Sequence, residues 1–162
     1  MVMLYHITDS KHIEVIAAEG AVKSLEQRVQ ENIKAGAKDR AKNDALFSER
    51  VQLMRECNVQ GALDSEKYAR RYKSVCAVTQ KDTSFLVMAG WKKEEGVYVL
   101  GFAENRLTDL GPHIDHKRSF IVYLEKPLTL EKLEEVYLAK KEDVEKAKKV
   151  FAKYSPKIIL IK

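Results

Sequence analysis

The feature that most constrains the fold is a change of pattern near residue 74. Before it, residues 22 to 59 are highly charged, lack proline and carry apolar side chains at rough helical spacing. This pattern predicts either one helix or two helices joined near Gly36. After it, the runs SVCAVT, GVYVLGF, RSFIVYLE and LEEVYLA are rich in β-branched and aromatic residues and predict strands. A helical first half followed by a strand-rich second half predicts an α+β fold.

Both ends of the chain add to this picture. MLYHI predicts an opening strand, and the polar residues Thr8, Asp9 and Ser10 suit the cap of a helix that ends at Gly20. At the other end, KKEDVEKAKKVFAKY predicts an amphipathic helix, and the apolar run KIILI predicts a fully buried last strand. Capping explains the hydroxyl and carboxyl groups of the opening segment. The cap gives no reason for His6.

Length and composition predict a single domain over residues 1–162. The chain has 162 residues, and 45% of them are apolar, which is enough for one core. No stretch reaches the roughly 20 apolar residues of a membrane span, and the start lacks the basic segment of a signal peptide. We therefore expect a cytoplasmic protein without a membrane partner.

Several common chemistries lack their motifs in this chain. The sequence has no GxxxxGK[ST], GxGxxG, HExxH or GxSxG. Its cysteines, Cys57 and Cys76, form neither a disulfide framework nor a CxxC pair. His113 and His116 flank Asp115 in a segment that predicts an ordinary polar loop, so no metal site is predicted. Phosphoryl transfer, zinc hydrolysis and Rossmann-type dehydrogenase chemistry are unsupported.

The positive charge is concentrated in two places. The formal net charge is +5, and residues 140 to 162 alone hold eight lysines and three acids, which is 8 − 3 = +5. A second cluster comprises Arg70, Arg71 and Lys73. A basic face is compatible with nucleic acid, although many solvated helices share this composition. The second cluster is the predicted nucleic-acid-binding site.

Three short segments, taken in their order, resemble the ADP-ribosyltransferase fold and in particular its DarT-like branch, the DNA ADP-ribosyltransferases and related small phage or bacterial members. The segments are Tyr5-His6-Ile7-Thr8, then Val75-Cys76-Ala77-Val78-Thr79-Gln80-Lys81-Asp82, then Glu135-Val136-Tyr137-Leu138. The resemblance covers most of residues 3–20 and 74–162. It implies a split β-sheet core, into which residues 22–70 form a helical insertion of unknown role.

The resemblance also implies NAD as cofactor and cleavage of its nicotinamide–ribose bond through an oxocarbenium-like transition state. Glu135 is the implied catalytic carboxylate, with Glu134 as the alternative because neighbouring residues on a strand point to opposite faces. His6 is implied to hold the other ribose, and Thr8 an NAD hydroxyl or amide. We expect His6 and Glu135 to open onto one cleft. The full set of predicted cofactor-binding residues is Tyr5, His6, Thr8, Thr79 and Tyr72, with Tyr68 as the alternative aromatic for stacking on nicotinamide.

Two hypotheses remain open at this point. The first is an NAD-dependent ADP-ribosyltransferase that modifies a macromolecule, with nucleic acid as a candidate acceptor. The second is a catalytically degenerate module that binds a nucleotide, nucleic acid or protein partner. The pairing of His6 with a late glutamate favours the enzyme. The middle segment favours the module, because Gln80 stands where the family usually carries arginine, although Arg70, Arg71 or Lys73 could substitute for it.

Overall fold

The computed structural model describes residues 1–36, 38–59, 62–63, 65–90 and 96–161. Its helices are α1 (Ile13–Glu19), α2 (Leu25–Lys34), α3 (Arg40–Glu56), α4 (Ser65–Lys73), α5 (Lys81–Gly90) and α6 (Asp143–Val150). Its strands are β1 (Val2–Asp9), β2 (Ala21–Val22), β3 (Asn58–Val59), β4 (Ala62–Leu63), β5 (Val75–Val78), β6 (Val97–Glu104), β7 (Pro112–Ile114), β8 (Ile121–Leu124), β9 (Leu128–Thr129), β10 (Leu133–Leu138) and β11 (Lys157–Leu160).

Seven strands form the main sheet in the order β11-β10-β6-β1-β5-β8-β7. β10 and β11 are parallel, and the other pairs are antiparallel. β1 pairs with β6 along all eight of its residues. Within the described residues, β1 pairs with β5 at a single position, Tyr5 opposite Val78. We call this weakly paired junction between β1 and β5 the seam. The split α+β sheet that the sequence predicts is confirmed.

The sheet has two covered faces. One face packs against α1 and α6, and its buried residues include Leu4, Leu100 and Phe151, all fully buried. We call it the α1 face. The other face packs against α5, with Phe85 over a smaller cluster that includes Tyr137. We call it the α5 face. Because side chains alternate along each strand, every residue of the central strands belongs to one face or the other.

The region predicted to be a helical insertion contains α2, α3 and α4, and we use the name insertion for these three helices and the residues that join them. The Ser24 hydroxyl accepts the Gln27 N–H at the start of α2, and the Asp39 carboxylate accepts the Lys42 N–H at the start of α3. Gly36, with φ of +85°, lies between these helices, as predicted. No helix in the described part of the chain is long and apolar enough to cross a membrane.

Two expectations for single segments are wrong. The run KIILI forms β11, but this strand lies at the edge of the sheet and is half-exposed, so it is not fully buried. The segment predicted as a polar loop includes the strand β7, in which His113 pairs with Tyr123 of β8. Pro112 can begin β7 because an edge strand has one side without ladder partners.

Candidate functional site

His6 lies at the seam, on the α1 face of β1. Its Nδ1 is 2.8 Å from the carbonyl oxygen of Cys76 on the other side of the seam. A carbonyl only accepts, so Nδ1 carries the proton and Nε2 of the neutral ring is an acceptor. Burial lowers the pKa of His6, the bond to Cys76 acts against this, and the charge of His12 adds to the lowering. The imidazole is therefore neutral near pH 7, with a fixed tautomer.

A cavity of about 280 Å³ opens beside His6. Thr8, which is buried, lines it from β1, and Ser74 and Cys76 line it from the other side of the seam. The helical region supplies three cations, Lys23, Arg28 and Arg71. The carboxylates of Glu19 and Glu49 line the same cavity. The cavity, which is partly open to solvent, thus combines a hydrogen-bond acceptor, small polar groups and charges of both signs.

An ionic network borders this cavity and joins the end of β1 to the insertion. His12 Nδ1 lies 2.7 Å from Asp9 Oδ1, and His12 Nε2 lies 3.2 Å from Glu49 Oε1. Arg28 Nη1 donates to Glu49 at 2.6 Å, and its Nε lies 3.6 Å from Glu19. The hydrogen bonds to the two carboxylates raise the pKa of His12 to about 9, so this imidazole is charged at neutral pH.

The carboxylates of this network stay ionised. Burial alone would raise the pKa of Asp9 and of Glu49. Burial is the largest single influence at both sites, but the hydrogen bonds and charge of His12, joined by the Lys11 N–H at Asp9 and by Arg28 at Glu49, together outweigh it, so both pKa values lie below their ordinary range. The border of the cavity is therefore held together by paired charges.

Glu135 lies on the opposite face of the sheet from His6. The register places Tyr5, Gly101 and Glu135 in one row across β1, β6 and β10. It places His6 in the next row, opposite Leu100. Directly opposed residues share a face and neighbouring rows alternate, so Glu135 belongs to the α5 face and His6 to the α1 face. The expectation that both residues open onto one cleft is wrong.

Glu134 does not take the place of Glu135 in that cleft. The pairing of β10 with β6 is irregular between Leu133 and Glu135, and Glu134 is exposed at this bulge. An extra residue in a bulged strand is left outside the ladder. The structure therefore brings neither predicted carboxylate to the His6 cavity.

On the α5 face, Glu135 belongs to an aromatic cluster. Its carboxylate accepts a hydrogen bond from the hydroxyl of Tyr137, the next residue on the same face. Phe85 meets the Tyr137 ring edge-on at 4.8 Å between centroids, and Lys81 Nζ lies 5.0 Å from that ring. Tyr5 is buried in the same cluster, and burial, together with the charge of Glu135, raises its pKa. Tyr5 packs here and faces away from the cavity.

Two further predicted cofactor-binding residues lie outside the lining of the cavity. The Thr79 hydroxyl donates to the Phe120 carbonyl at 3.3 Å, and its N–H donates to the same oxygen at 2.8 Å. Tyr72 stacks on Tyr68, with 5.6 Å between ring centroids and 13° between planes. The guanidinium of Arg50 lies over the Tyr72 ring, 5.3 Å from its centroid. Thr79 and Tyr72 are thus engaged elsewhere.

The predicted basic cluster is divided by the structure. Arg71 turns toward the His6 cavity and pairs with Glu56 at 3.1 Å. Arg70 lies 5.6 Å from the Tyr123 ring in a groove of about 510 Å³ between α4 and the β7–β8 turn. Lys73 is exposed at the end of α4. We call this groove, which also contains Lys117 and Arg118, the basic groove.

Sequence reasoning missed the residues that the insertion brings to the seam. Arg28 and Glu49 belong to a segment that predicts ordinary charged helices, and His12 lies in the opening segment, where a capped helix is predicted. Their place in the site comes from contacts between residues that are far apart in sequence. His12 and Glu49, for example, are 37 positions apart. No local spacing signals such a contact. In the described residues, no group of three or more His, Cys, Asp or Glu side chains is arranged to hold a metal ion.

The chain is similar in fold to the DarT structures, which have the ADP-ribosyltransferase fold. No protein-family model and no curated protein matches the sequence. Thermus sp. 2.9 DarT in complex with ADP-ribosylated ssDNA has a TM-score of 0.54 and 11% identity, with 99% of this chain and 94% of that chain covered.

Two other structures agree with this comparison. The same DarT in complex with NAD+ has a TM-score of 0.53 and 11% identity, and covers 99% of this chain and 95% of its own. Thermosipho africanus DarTG in complex with ADP-ribose has a TM-score of 0.52 and 13% identity, and covers 99% of this chain and 50% of its own. At such identities the likeness is one of fold.

Proposed function

We propose that this chain binds NAD+ at the seam, in the cavity beside His6, as a nucleotide-binding module of the ADP-ribosyltransferase fold. The observation that carries the proposal is the neutral His6 ring, whose Nε2 is an acceptor beside this cavity. A ribose offers hydroxyl donors to such a group. Support also comes from the DarT structure in complex with NAD+, whose similarity in fold covers 99% of this chain.

The cations of the cavity fit the phosphates of this ligand. Arg28 Nε is buried and has no hydrogen-bond partner among the described residues, because its distance of 3.6 Å from Glu19 is too long for a hydrogen bond. A buried donor without a partner is destabilising, and a phosphate oxygen would satisfy it. Arg71 lines the same cavity. These two arginines take the place of the family arginine that is missing at Gln80.

The position of Glu135 favours binding over catalysis. Cleavage of the nicotinamide–ribose bond develops positive charge on the ribose, which a nearby carboxylate stabilises. Glu135 is on the other face of the sheet from His6 and two strands away. A nucleotide in the cavity is out of its reach. We therefore favour the catalytically degenerate module over the transferase.

We expect His6→Ala to weaken NAD+ binding by about tenfold or more, since it removes one hydrogen bond to the ligand and leaves a void. Glu135→Ala is the matched control, because it alters the opposite face and should change the dissociation constant less than about twofold. Isothermal titration calorimetry with NAD+ measures both. Wild-type affinity in His6→Ala, or a loss of binding confined to Glu135→Ala, would contradict the proposal. His6→Gln, a milder change, covers the case in which the alanine variant misfolds.

The second candidate function is transfer of ADP-ribose to a macromolecule, with nucleic acid as the acceptor. It is favoured by the similar DarT structure that holds ADP-ribosylated ssDNA. It is also favoured by the basic groove, because Tyr123 in that groove lies on the α5 face, as Glu135 does. Phosphate contacts from Arg70, Lys117 and Arg118 would hold a strand on the same side of the sheet as the glutamate.

Labelled NAD+ and a single-stranded oligodeoxynucleotide test this second function. A transferase would label the DNA, lose labelling in Glu135→Ala, and lose DNA affinity by about tenfold or more when Arg70, Lys117 and Arg118 are all changed to Gln. The matched control changes Lys148, Lys149 and Lys153 to Gln, which removes the same charge from α6 and the turn that follows it. If the folded wild type neither labels DNA nor releases nicotinamide, the transferase hypothesis fails and the binding proposal stands by itself.

A further inference from the structure

The strand β11 leaves one edge of the main sheet open. Among the described residues, β10 is the only strand that pairs with β11. The Ile161 N–H donates to the Leu138 carbonyl of β10 at 2.8 Å. Because the backbone groups of successive residues in a strand point to alternate sides, those of Ile158 and Leu160 point away from the sheet. A further strand is the natural partner for such a row of donors and acceptors.

The side chains of this edge are apolar. Residues 158 to 161 have the sequence IILI. Leu160 is 40% exposed, and the three isoleucines are half-buried. Soluble proteins usually protect an edge strand with charged residues or proline. Here Pro156 and Lys157 precede the apolar run, and no charged residue interrupts it. The composition of this edge therefore favours pairing with another strand.

The opposite edge of the sheet is protected against pairing. The edge strand there, β7, has three residues and begins at Pro112, which has no N–H to donate. Lys117 and Arg118 of the basic groove follow it. Pairing of β7 in one copy with β11 in the next would build an open-ended chain of molecules, and this protection disfavours it. Pairing of β11 with β11 closes at two copies.

The backbone of β11 is complementary to itself in one antiparallel register. With Ile159 on a two-fold axis, Ile158 lies opposite Leu160 of the second copy. These two residues carry the outward backbone groups, so they exchange both N–H to carbonyl hydrogen bonds, and the axis repeats this ring. Moving the axis to Ile158 would place Leu160 opposite Pro156, which has no N–H. The register centred on Ile159 therefore satisfies the edge best.

The side chains of β11 fit the same register. Ile158 packs on the α1 face and Ile159 on the α5 face. Across the axis, Ile159 would meet its own copy, and Ile158 would meet Leu160. Lys157 would lie opposite Ile161 of the second copy, so the two lysines are not opposed. Apolar cross-strand pairs stabilise a sheet, whereas like charges directly opposite each other destabilise it.

The charges of α6 are compatible with a second copy beside this edge. Lys146, on one side of α6, donates to the Ser10 carbonyl at 3.0 Å, toward α1. Lys148 lies on the opposite side and is 3.6 Å from Glu145. The two-fold axis brings this side of α6 toward its copy, where each lysine can pair with the glutamate of the other molecule. α6 carries three lysines and two acids, 3 − 2 = +1, so the repulsion between the two helices is small.

We propose that two copies of the chain associate through β11 into a two-fold dimer, in which the two main sheets form one continuous sheet. A second copy is the occupant because backbone groups, apolar side chains and the charges of α6 are self-complementary in one register. The interface is small, so we expect a dissociation constant on the order of 10 μM. β10 and β6 separate β11 from the seam, and the proposal is independent of the function assigned there.

Leu160→Pro tests the dimer, because it removes an outward N–H without removing a hydrogen bond to β10. Leu160→Ala is the matched control, since it shortens the same side chain and keeps the N–H. Sedimentation velocity from about 1 to 200 μM should show a wild-type dimer that forms with rising concentration. The dimer of Leu160→Pro should be about tenfold or more weaker than that of Leu160→Ala. Residues 140–162 carry a net charge of +5, so added salt should tighten the wild-type dimer.

Amide hydrogen exchange of the wild type covers the case in which the proline variant misfolds. The N–H groups of Ile158 and Leu160 should gain protection as the protein concentration rises, while the Ile161 N–H stays protected throughout. A wild type that is monomeric at about 200 μM, or a dimer equally stable in Leu160→Pro and Leu160→Ala, would overturn the proposal. A monomer that instead pairs this edge with an extended peptide would also overturn it. None of these measurements uses NAD+, so their outcome is separate from that of the nucleotide titration.

Discussion

Replacing Lys132 by methionine is expected to destabilise the fold by about 3 kcal/mol. Glu104, at the end of β6, is only 3% exposed, and Lys132 Nζ lies 2.8 Å from each of its two carboxylate oxygens. Methionine keeps the apolar stem of lysine but removes the ammonium group. A buried carboxylate would then remain without its cation, which is among the most destabilising changes that one substitution can make.

The partner of this change is Glu104→Gln. In the double variant no charge remains at the site, so we expect it to recover at least half of the loss, and the coupling of the two changes in urea unfolding measures the interaction. Lys132 is 47% exposed, so water reaches one side of the pair. A loss below about 0.5 kcal/mol in Lys132→Met would mean that this water replaces the ammonium group.

A second large effect is expected on the pH dependence of stability, through His12. The ion pairs with Asp9 and Glu49 raise the pKa of this side chain from an ordinary value near 6.5 to about 9. A raised pKa means that the protonated form is favoured by folding. The stabilisation is thus complete below about pH 6.5 and is lost as the pH rises to about 9. Since His12 is 37% exposed and partly screened by water, we expect a loss of about 1 to 2 kcal/mol over this interval.

At acid pH, the slope of stability against pH has the opposite sign. The pKa values of Asp9 and Glu49 are lowered, so their contribution is present above the ordinary carboxyl range and disappears as the pH falls through the lowered values. Urea unfolding at a series of pH values measures both slopes. His12→Asn is the control, because it has no titrating ring and should flatten the alkaline slope. Parallel curves for this variant and the wild type between pH 6.5 and 9 would show that His12 does not cause the slope.

The sequence patterns predict the elements well because the signals are local. The helices α2 and α3 carry their own caps at Ser24 and Asp39, and β6 is a continuous apolar strand, so each pattern is complete within a few residues. β7 was missed because its three residues show no alternation. The apolar run KIILI predicts a buried strand, but β11 lies at the edge of the sheet. An apolar run alone does not indicate whether a strand is central or at an edge.

The candidate site is harder to predict because it depends on register. His6 and Glu135 are two strands apart, and a shift of one residue moves a side chain to the other face of the sheet. The bulge between Leu133 and Glu135 determines which face of the sheet Glu135 points to. The sequence LEEVYL does not indicate that a bulge is present. The arginine of the cavity is equally distant in sequence: Arg28 reaches the seam only because α2 packs beside α3.

The seam has a mechanical consequence for the whole sheet. The four strands on one side and the three on the other share one backbone pairing position and the bond from His6 to the Cys76 carbonyl, whereas β1 and β6 are joined along their full length. Cooperative unfolding units follow the density of such links. The two parts of the sheet are therefore joined mainly by side-chain packing, since Val75 and Ala77 of β5 lie in the same buried cluster as Leu4 of β1. A ligand bound across the seam would add hydrogen bonds where the backbone supplies few.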